Sequence, residues 1–276
     1  MQYMGGKTRI AKPISEVINE ISRRQKSYSQ TDCASNRERE RETALVSLFC
    51  GACSVESILA LNFDRVICND NHYYLIQMLK GIQSGYELPD SITKEEYYYI
   101  KDHKDNDPIL TGFVGFGCSF GGKWFGGYGH SFNSKGGRRN YCDEAKRSMV
   151  QALSKMRHVE FTCKDYKDVE LPENCIIYAD PPYNNTTGYS GGIFDSNAFW
   201  EYARETSKTH LMFISEQTAP DDFVSIWEKS ITRTLDRNKQ NQFKATEKLF
   251  IHKCNAHQVT HKTPTKTPTK ILLRHY

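Results

Sequence analysis

The sequence predicts an α/β fold, in which an open sheet carries helices on both faces. Short apolar runs alternate along the chain with segments whose apolar residues recur at helical spacing, and this alternation is typical of βαβ units. The clearest unit has an apolar run at 44–50, the turn residue Gly51 and a helical pattern that includes Val55 and Ile58. Several runs also end in acidic or polar residues. Because ligands of open α/β sheets bind beyond the carboxyl ends of the strands, these ends predict where a functional site lies.

Length and composition indicate one large domain, or one domain with an insertion. The chain has 276 residues, of which 38% are hydrophobic, and its formal net charge is +4. This charge permits a polyanionic partner without requiring one. No segment has the unbroken apolar length of a membrane span, and no apolar signal core follows Lys7 and Arg9. We therefore expect a cytoplasmic protein without membrane association.

The cysteines predict reduced thiols rather than disulfides or a metal site. There are nine, an odd number, and Cys68, Cys163 and Cys175 occur in apolar, strand-like runs where cysteine acts as a small hydrophobe. Cys50 and Cys53 have the spacing of a redox or zinc pair, but no second pair completes a zinc site. We expect no bound metal.

The amino-terminal segment places a lysine and two glycines shortly before a helix. Apolar residues from Ile10 to Ile21 share one helical face, and Lys7 precedes them. The end of this segment resembles a phosphate-binding P-loop, but that motif needs a glycine where the chain has Met1, so a nucleoside-triphosphate site is not predicted. Residues 23–43 are polar and of mixed charge, which indicates a surface excursion.

Two further strand ends carry residues suited to a nucleoside. The strand at 66–68 ends at Asp70, roughly twenty residues after the Gly51 turn, where a carboxylate can meet ribose hydroxyls. The same spacing also fits an ordinary packing turn, because the full GxGxxG pattern is absent. The strand at 159–163 ends at Asp165 and Tyr166.

The middle of the chain changes in composition. Residues 71–107 have helical patterns, with Thr93 and Glu96 forming a capping box. The segment 112–137 is dense in glycine and aromatic residues, which predicts irregular turns or hairpins rather than a regular helix. Aromatic residues interleaved with lysine and arginine suit phosphates and unstacked bases, although a glycine-rich loop folded onto the core is an equal alternative.

The stretch 175–183 contains the most specific motif. A buried strand at 175–179 must stop at Asp180, because Pro181 and Pro182 have fixed φ angles and no N–H groups. The chain then presents the Asp180 carboxylate, the Pro181 carbonyl and the Tyr183 ring near one point. This corner can accept two hydrogen bonds from an amino group while the ring stacks on a flat heterocycle. The alternative is an ordinary loop that contains prolines.

The carboxyl-terminal third completes the sheet. The predicted elements are an active-site loop at 184–192, a helix capped by Asp195, a strand at 210–216, a short helix from Pro220 through Trp227, an antiparallel pair at 231–235 and 249–252, and a basic flexible tail at 253–276.

Five motifs in this order resemble the class alpha, Dam-like DNA adenine methyltransferases, and are closest to their phage-borne orphan members. The motifs are YMGGK at 3–7, LFCGACS at 48–54, CND at 68–70, KDY at 164–166 and ADPPY at 179–183. The resemblance covers residues 1–252. It implies a Rossmann-like methyltransferase domain formed by 1–75 and 158–252, with a target-recognition insertion at 76–157.

The resemblance also implies the cofactor and the site. S-adenosylmethionine would be bound by Tyr3, Lys7, Phe49, Gly51, Ser54, Asp70, Asp165, Tyr166 and Asp180. The catalytic corner would be Asp180, Pro181, Pro182 and Tyr183, acting on an adenine flipped out of the DNA duplex. Lys123, Arg138 and Arg139 are candidates for DNA contacts, with phosphate favoured over bases. The partner would be double-stranded DNA in the bacterial nucleoid.

Three alternatives remain open at this stage. The same corner can orient the 4-amino group of cytosine, although Asp rather than Ser at position 180 favours adenine. RNA is a second possible substrate. A catalytically silent DNA-binding relative is the third, and the intact Asp70, Asp180 and Tyr183 argue against it.

Overall fold

The computed structural model describes residues 1, 3, 5–31, 43–130, 137, 139–182, 194–234 and 242–259. Several predictions concern residues outside these ranges. They are the contacts of Arg138 and Tyr183, the loop at 184–192, most of the polar stretch 23–43 and the tail from 260 onward.

The described residues form α-helices and β-strands, and four of the helices follow one another in the middle of the chain. The helices are α1 (Ala11–Thr31), α2 (Glu56–Leu59), α3 (Tyr73–Gln83), α4 (Lys94–Asp102), α5 (Pro108–Gly117), α6 (Tyr141–Leu153) and α7 (Ser196–Ser207). The strands are β1 (Ala44–Ser47), β2 (Val66–Asn69), β3 (Val159–Thr162), β4 (Cys175–Ala179), β5 (Leu211–Glu216), β6 (Phe223–Thr234) and β7 (Gln242–His252).

The described strands form one mixed sheet in the order β3-β2-β1-β4-β5-β7-β6. The strands β1 to β5 are parallel to one another, and Val46 of β1 lies between Ile67 of β2 and Ile177 of β4. β7 is antiparallel to both β5 and β6. The chain order reverses between β1 and β4, which creates a crevice beyond their carboxyl ends where α/β proteins bind ligands.

Both faces of the sheet are covered, as predicted. Alternate residues of β1 and β4 point to opposite sides, so that Leu45 and Ile176 join one apolar cluster while Val46 and Ile177 join the other. The first cluster includes the apolar sides of α1, α3, α5 and α6, and the second includes residues of α7. The core therefore consists of two layers separated by the sheet.

The glycine-rich segment begins with a regular helix, which corrects the prediction of turns or hairpins there. α5 includes Gly112, Gly115 and Gly117. A Cβ at Gly112 would lie 2.1 Å from the carbonyl oxygen of Tyr74, because α3 and α5 pack closely at this point. Glycine is thus used here for close helix approach, at a modest cost in helix propensity. Irregular structure, with a short bridge between Ser119 and Tyr128, follows only after the helix.

The predicted helix from Pro220 through Trp227 is wrong, because Phe223 begins strand β6. Phe223, Ile226 and Trp227 are all buried, and their spacing imitates one face of a helix. The pairing of β6 with β7 shifts register between Ser225 and Trp227. An irregularity of this kind lets two adjacent residues face the core, which a strictly alternating strand does not allow.

The predicted tail is ordered at its start. Residues 253–258 form a 3₁₀ helix, and the side chain of Asn255 donates to the carbonyl oxygens of Ser207 and His210. The first residues of the predicted tail therefore have regular secondary structure and contact the rest of the fold. The predicted domain boundary at 75/76 falls inside α3. None of the helices in the described part of the chain has the length and apolar character to cross a membrane.

Candidate functional site

A cavity of about 290 Å³ lies at the reversal point, beyond the carboxyl ends of β1, β2 and β4. The predicted site residues that line it are Tyr3, Lys7, Phe49, Gly51, Ser54, Asp70, Asp165, Tyr166, Asp180 and Pro182. Pro181 is buried beside it. The fold thus brings together residues that are far apart in the sequence, because parallel strands end at the same edge of the sheet.

The side chain of Asn69 connects the carboxyl ends of β1, β2 and β3. Its buried amide nitrogen donates to the carbonyl oxygen of Leu48 at 3.1 Å and to that of Lys164 at 3.0 Å. Its Oδ1 accepts from the Thr162 hydroxyl at 2.9 Å and from the Lys164 backbone N–H at 3.0 Å. The residues that follow β1, β2 and β3 are therefore fixed relative to one another, and these are the segments that carry Phe49, Asp70 and Asp165.

The turn after β1 is tied to the end of β2. Asp70 accepts a 3.1 Å hydrogen bond from the backbone N–H of Gly51 and a 2.9 Å bond from that of His72. Burial raises the pKa of Asp70, and these backbone bonds oppose the rise. Gly51 has a φ of +47°, and a Cβ there would lie 2.9 Å from the Tyr3 ring. Only glycine combines this backbone conformation with close contact to Tyr3.

One group of aromatic rings lines the cavity on the side of α7. The ring centroid of Phe49 is 5.3 Å from that of Tyr166 and 5.8 Å from that of Phe194. Phe199 of α7 supports Phe49 from beneath, at 5.7 Å between centroids. Such a group offers apolar ring surface to a flat heterocycle.

A second group of rings lies on the opposite face of the sheet. Phe116 contacts Tyr3, His72 and Trp124, with ring centroids between 4.7 and 5.1 Å apart. His72 also caps α3, because its Nδ1 accepts from the backbone N–H of Leu75. Burial lowers the pKa of His72 to about 4, so the imidazole is neutral at physiological pH. This ring cluster is therefore uncharged.

Lys7 lies between two carboxylates. The resemblance assigns Lys7 to the cofactor, and the structure places its ammonium 3.1 Å from Asp180 Oδ1 and 3.1 Å from Glu247 Oε2. The side chains of Lys7 and Glu247 are buried, whereas that of Asp180 is 19% exposed. The lysine thus links the β4 corner to a carboxylate in the centre of β7.

Two further acids lie near Asp180 and favour their neutral forms. Burial raises the pKa of Glu56 to about 8, and the negative charge of Asp180 adds to the rise. Burial likewise raises the pKa of Glu216 to about 7, again with a contribution from Asp180. The Ser47 hydroxyl donates to Glu56 at 2.7 Å, and the backbone N–H of Gln217 donates to Glu216 at 2.7 Å. Near neutral pH Glu56 is therefore mostly protonated and Glu216 partly so, which limits the negative charge at the site.

The remaining predicted residues have mixed surroundings. Lys123 is exposed, next to the cavity residues Gly122 and Trp124. Arg139 forms an ion pair with Glu144 and lies over the ring of Tyr141. Cys50 and Cys53 are buried, and their thiols have raised pKa values, which disfavours a reactive thiolate.

Several residues at the site were not identified from the sequence. They are Glu56, Asn69, His72, Phe116, Phe194 and Glu247 as functional groups, and Lys7 as a partner of Asp180. Asn69 and His72 flank Asp70, so their strand-end position was an available signal. No signal in the sequence pointed to Glu247, because it lies 67 residues after Asp180, in a strand near the other end of the chain.

Two solved structures illustrate what the chain is similar to. Among solved structures, the chain is similar to a proposed RNA methyltransferase from Pyrococcus horikoshii, with 9% identity, a TM-score of 0.36 and coverage of 76% of this chain and 73% of that one. It is also similar to the tRNA methyltransferase TrmI from Aquifex aeolicus, with 10% identity, a TM-score of 0.31 and coverage of 83% and 68%.

A family model gives the assignment. The model for D12 class N6 adenine-specific DNA methyltransferases matches residues 3–219, which include all the cavity residues predicted from the sequence. The chain therefore belongs to the D12 class of N6 adenine-specific DNA methyltransferases, with an α/β methyltransferase fold and S-adenosylmethionine as its methyl donor.

Proposed function

We propose that the corner at 180–183 holds the target adenine, flipped out of double-stranded DNA, and that Asp180 is the catalytic carboxylate. The observation that carries this proposal is the position of Asp180, which borders the cavity at the point where the strand order reverses. Its carboxylate is partly exposed there and is held by the Lys7 ammonium. A base within a duplex cannot reach such a recessed group, so it must leave the stack.

Asp180 and the carbonyl of Pro181 accept hydrogen bonds from the 6-amino group and thereby direct its nitrogen lone pair into the cavity. Asp180 also stabilises the positive charge that grows on this nitrogen during attack. Tyr183 stacks on the flipped base, and Pro182 keeps the corner rigid because its φ is fixed. Lys7 positions the carboxylate rather than accepting a proton, since an ammonium has no free lone pair.

The residues that line the cavity suit the chemical groups of S-adenosylmethionine, the methyl donor. The buried Asp70 carboxyl has lone pairs beyond those used by its two backbone donors and suits ribose hydroxyls. Phe49 and Tyr166 offer ring surface to the adenine ring of the cofactor, and Asp165 lies beside them. Tyr3, Gly51 and Ser54 border the remaining space of the cavity. When bound, S-adenosylmethionine supplies an electrophilic methyl group.

DNA recognition is assigned to the insertion at 76–157. Lys123 supports this proposal, because it is exposed beside the cavity. Together with Arg138 and Arg139 it would contact phosphates, which receive most protein–DNA hydrogen bonds. An Arg139 contact requires exchange of its Glu144 partner for a phosphate. The enzyme would then act at the nucleoid.

The proposed role of Asp180 is tested with labelled cofactor and unmethylated DNA. Wild type should transfer label to adenine, and Asp180→Ala should reduce the single-turnover rate about 100–1000-fold, the usual loss for one preorganised charge-stabilising group. Asp64→Asn, which removes an exposed carboxylate outside the cavity, is the matched control. Equal transfer by wild type and Asp180→Ala would refute the role of Asp180, and label in cytosine or preferentially in RNA would refute the substrate.

A further inference from the structure

We propose that Glu247 is a positioning residue for methyl transfer, which acts through Lys7 to hold the Asp180 carboxylate in place. This inference rests on the role proposed for Asp180. Glu247 lies beyond residues 3–219, the part of the chain matched by the family model. The family match therefore assigns no role to Glu247, which comes from the antiparallel strand pair at the edge of the sheet.

The position of Glu247 is unusual for a charged residue. It is 1% exposed and shares a face of β7 with Leu249 and Ile251, which belong to an apolar cluster. β7 is paired on both sides, with β5 and with β6, so its side chains have little freedom to move. Burying a carboxylate is costly, and an apolar residue at such a position is often equally or more stabilising. Stability alone therefore does not account for Glu247.

The contact made by Glu247 explains its presence. Its Oε2 accepts a hydrogen bond from the Lys7 ammonium at 3.1 Å, and the same ammonium is 3.1 Å from Asp180 Oδ1. A lysine side chain has several rotatable bonds, so a second carboxylate partner restricts its ammonium more than a single one does. With a second, immobile partner on β7, the ammonium has a defined position. The Asp180 carboxylate bound to it then has a defined orientation toward the amino group.

Charge balance supplies a second argument. Among the described residues, the titratable groups that act on the corner include Lys7 from the amino-terminal segment, Glu56 from α2, Tyr178 from β4, Glu216 from β5 and Glu247 from β7. In this group Lys7 is the cation, and the others are acids. Removing the charge of Lys7 should therefore disfavour ionised Asp180, whereas removing the charge of Glu247 should favour it.

The test compares Lys7→Met, Glu247→Gln and the double variant in full-length enzyme, using single-turnover methyl transfer at saturating cofactor and DNA. Both single variants should lower the rate, Glu247→Gln by about 100-fold, the loss expected when a reacting group is slightly misplaced. Dissociation constants for cofactor and DNA should stay within about threefold of wild type for Glu247→Gln, since the residue is expected to touch neither ligand. Glu228→Gln, on the exposed side of β6, is the charge-matched control.

The decisive readout is the acid limb of the pH–rate profile. It should move to higher pH in Lys7→Met, by about one unit, and to lower pH in Glu247→Gln. The double variant should lie between them. A purely structural role would lower the rates without shifting the two limbs in opposite directions.

Each other outcome has a defined meaning. Unchanged rate or an unshifted acid limb in Glu247→Gln would overturn the positioning role, as would shifts of the same sign in the two single variants. If Glu247→Gln fails to fold, the rate and the pH profile are measured on the double variant, in which the lysine charge is also removed. If both variants fail to fold, the role of Glu247 is in stability alone. Absence of transfer by wild type would instead refute the proposed function, together with the inference that rests on it.

Discussion

Replacing Asn69 with aspartate should separate the strand ends that form the cavity. The two side chains have nearly the same shape, but the carboxylate lacks the amide hydrogens that Asn69 donates to the carbonyl oxygens of Leu48 and Lys164. A negatively charged oxygen would then face both carbonyls. The bonds accepted from Thr162 and from the Lys164 backbone can persist, so the change is confined to the donor side.

The expected loss follows from the number of bonds removed. Two buried carbonyl oxygens lose their donor, and each unsatisfied group costs about 1–3 kcal/mol, which gives about 2–6 kcal/mol in all. For a chain of this size, this loss lowers Tm by roughly 5–15 °C. If half of this loss, about 1–3 kcal/mol, appears as distortion of the cavity, the dissociation constant for S-adenosylmethionine should rise by about 5- to 150-fold, because 1.4 kcal/mol corresponds to a factor of ten.

Thermal unfolding and cofactor titration by calorimetry would measure both effects. Asn62→Asp is the matched control, since it makes the same chemical change at an exposed residue outside the cavity. That control should leave the free energy of unfolding within about 0.5 kcal/mol of wild type. If the Asn69→Asp variant has the Tm and the cofactor affinity of wild type, Asn69 does not hold the strand ends together.

Three further substitutions test other parts of the structure. Gly51→Ala should weaken cofactor binding at least about tenfold, because the left-handed backbone costs alanine about 1–2 kcal/mol and the new Cβ would contact the Tyr3 ring. Gly85→Ala is the control, since Gly85 also has a positive φ but has open space around it. This control should reduce stability without changing cofactor affinity. The pKa of Glu56 is raised from 4.5 to about 8 in the folded protein, so the wild-type protein loses stability as the pH rises between these two values. Glu56→Gln removes this titration, and its Tm should therefore fall less steeply than that of wild type between pH 4.5 and 8. Parallel curves of Tm against pH would contradict this prediction. Gly112→Ala should destabilise by about 1–3 kcal/mol or more in denaturant unfolding, because α3 leaves no space for a methyl group, and unchanged stability would refute the close packing.

Local patterns in the sequence were sufficient for most of the sheet and for the strand ends that border the cavity. The runs at 44–50, 66–68 and 175–179 are apolar and bounded by turn residues, so their strands follow from composition alone. Asp70 and Asp180 come directly after such runs, and an open α/β sheet brings the ends of its parallel strands together. A residue at a strand end is therefore placed near the site without knowledge of any long-range contact.

The same local patterns failed where a distant contact determined the structure. The glycines of α5 suggested turns, but they form a helix because α3 lies against them. Phe223, Ile226 and Trp227 have helical spacing, but pairing with β7 and a register shift make them a strand. In both regions a tertiary contact outweighed the local preference, whose energy is small per residue.

The sequence by itself determined the fold class, the order of the motifs and the corner that begins at Asp180, because each depends on neighbouring residues. Only the tertiary structure decided how that corner is held. Lys7 comes from the start of the chain and Glu247 from near its end, and they meet Asp180 because β7 is inserted antiparallel beside β5. Local spacing carries no information about such a contact, since it depends on how the whole sheet is assembled.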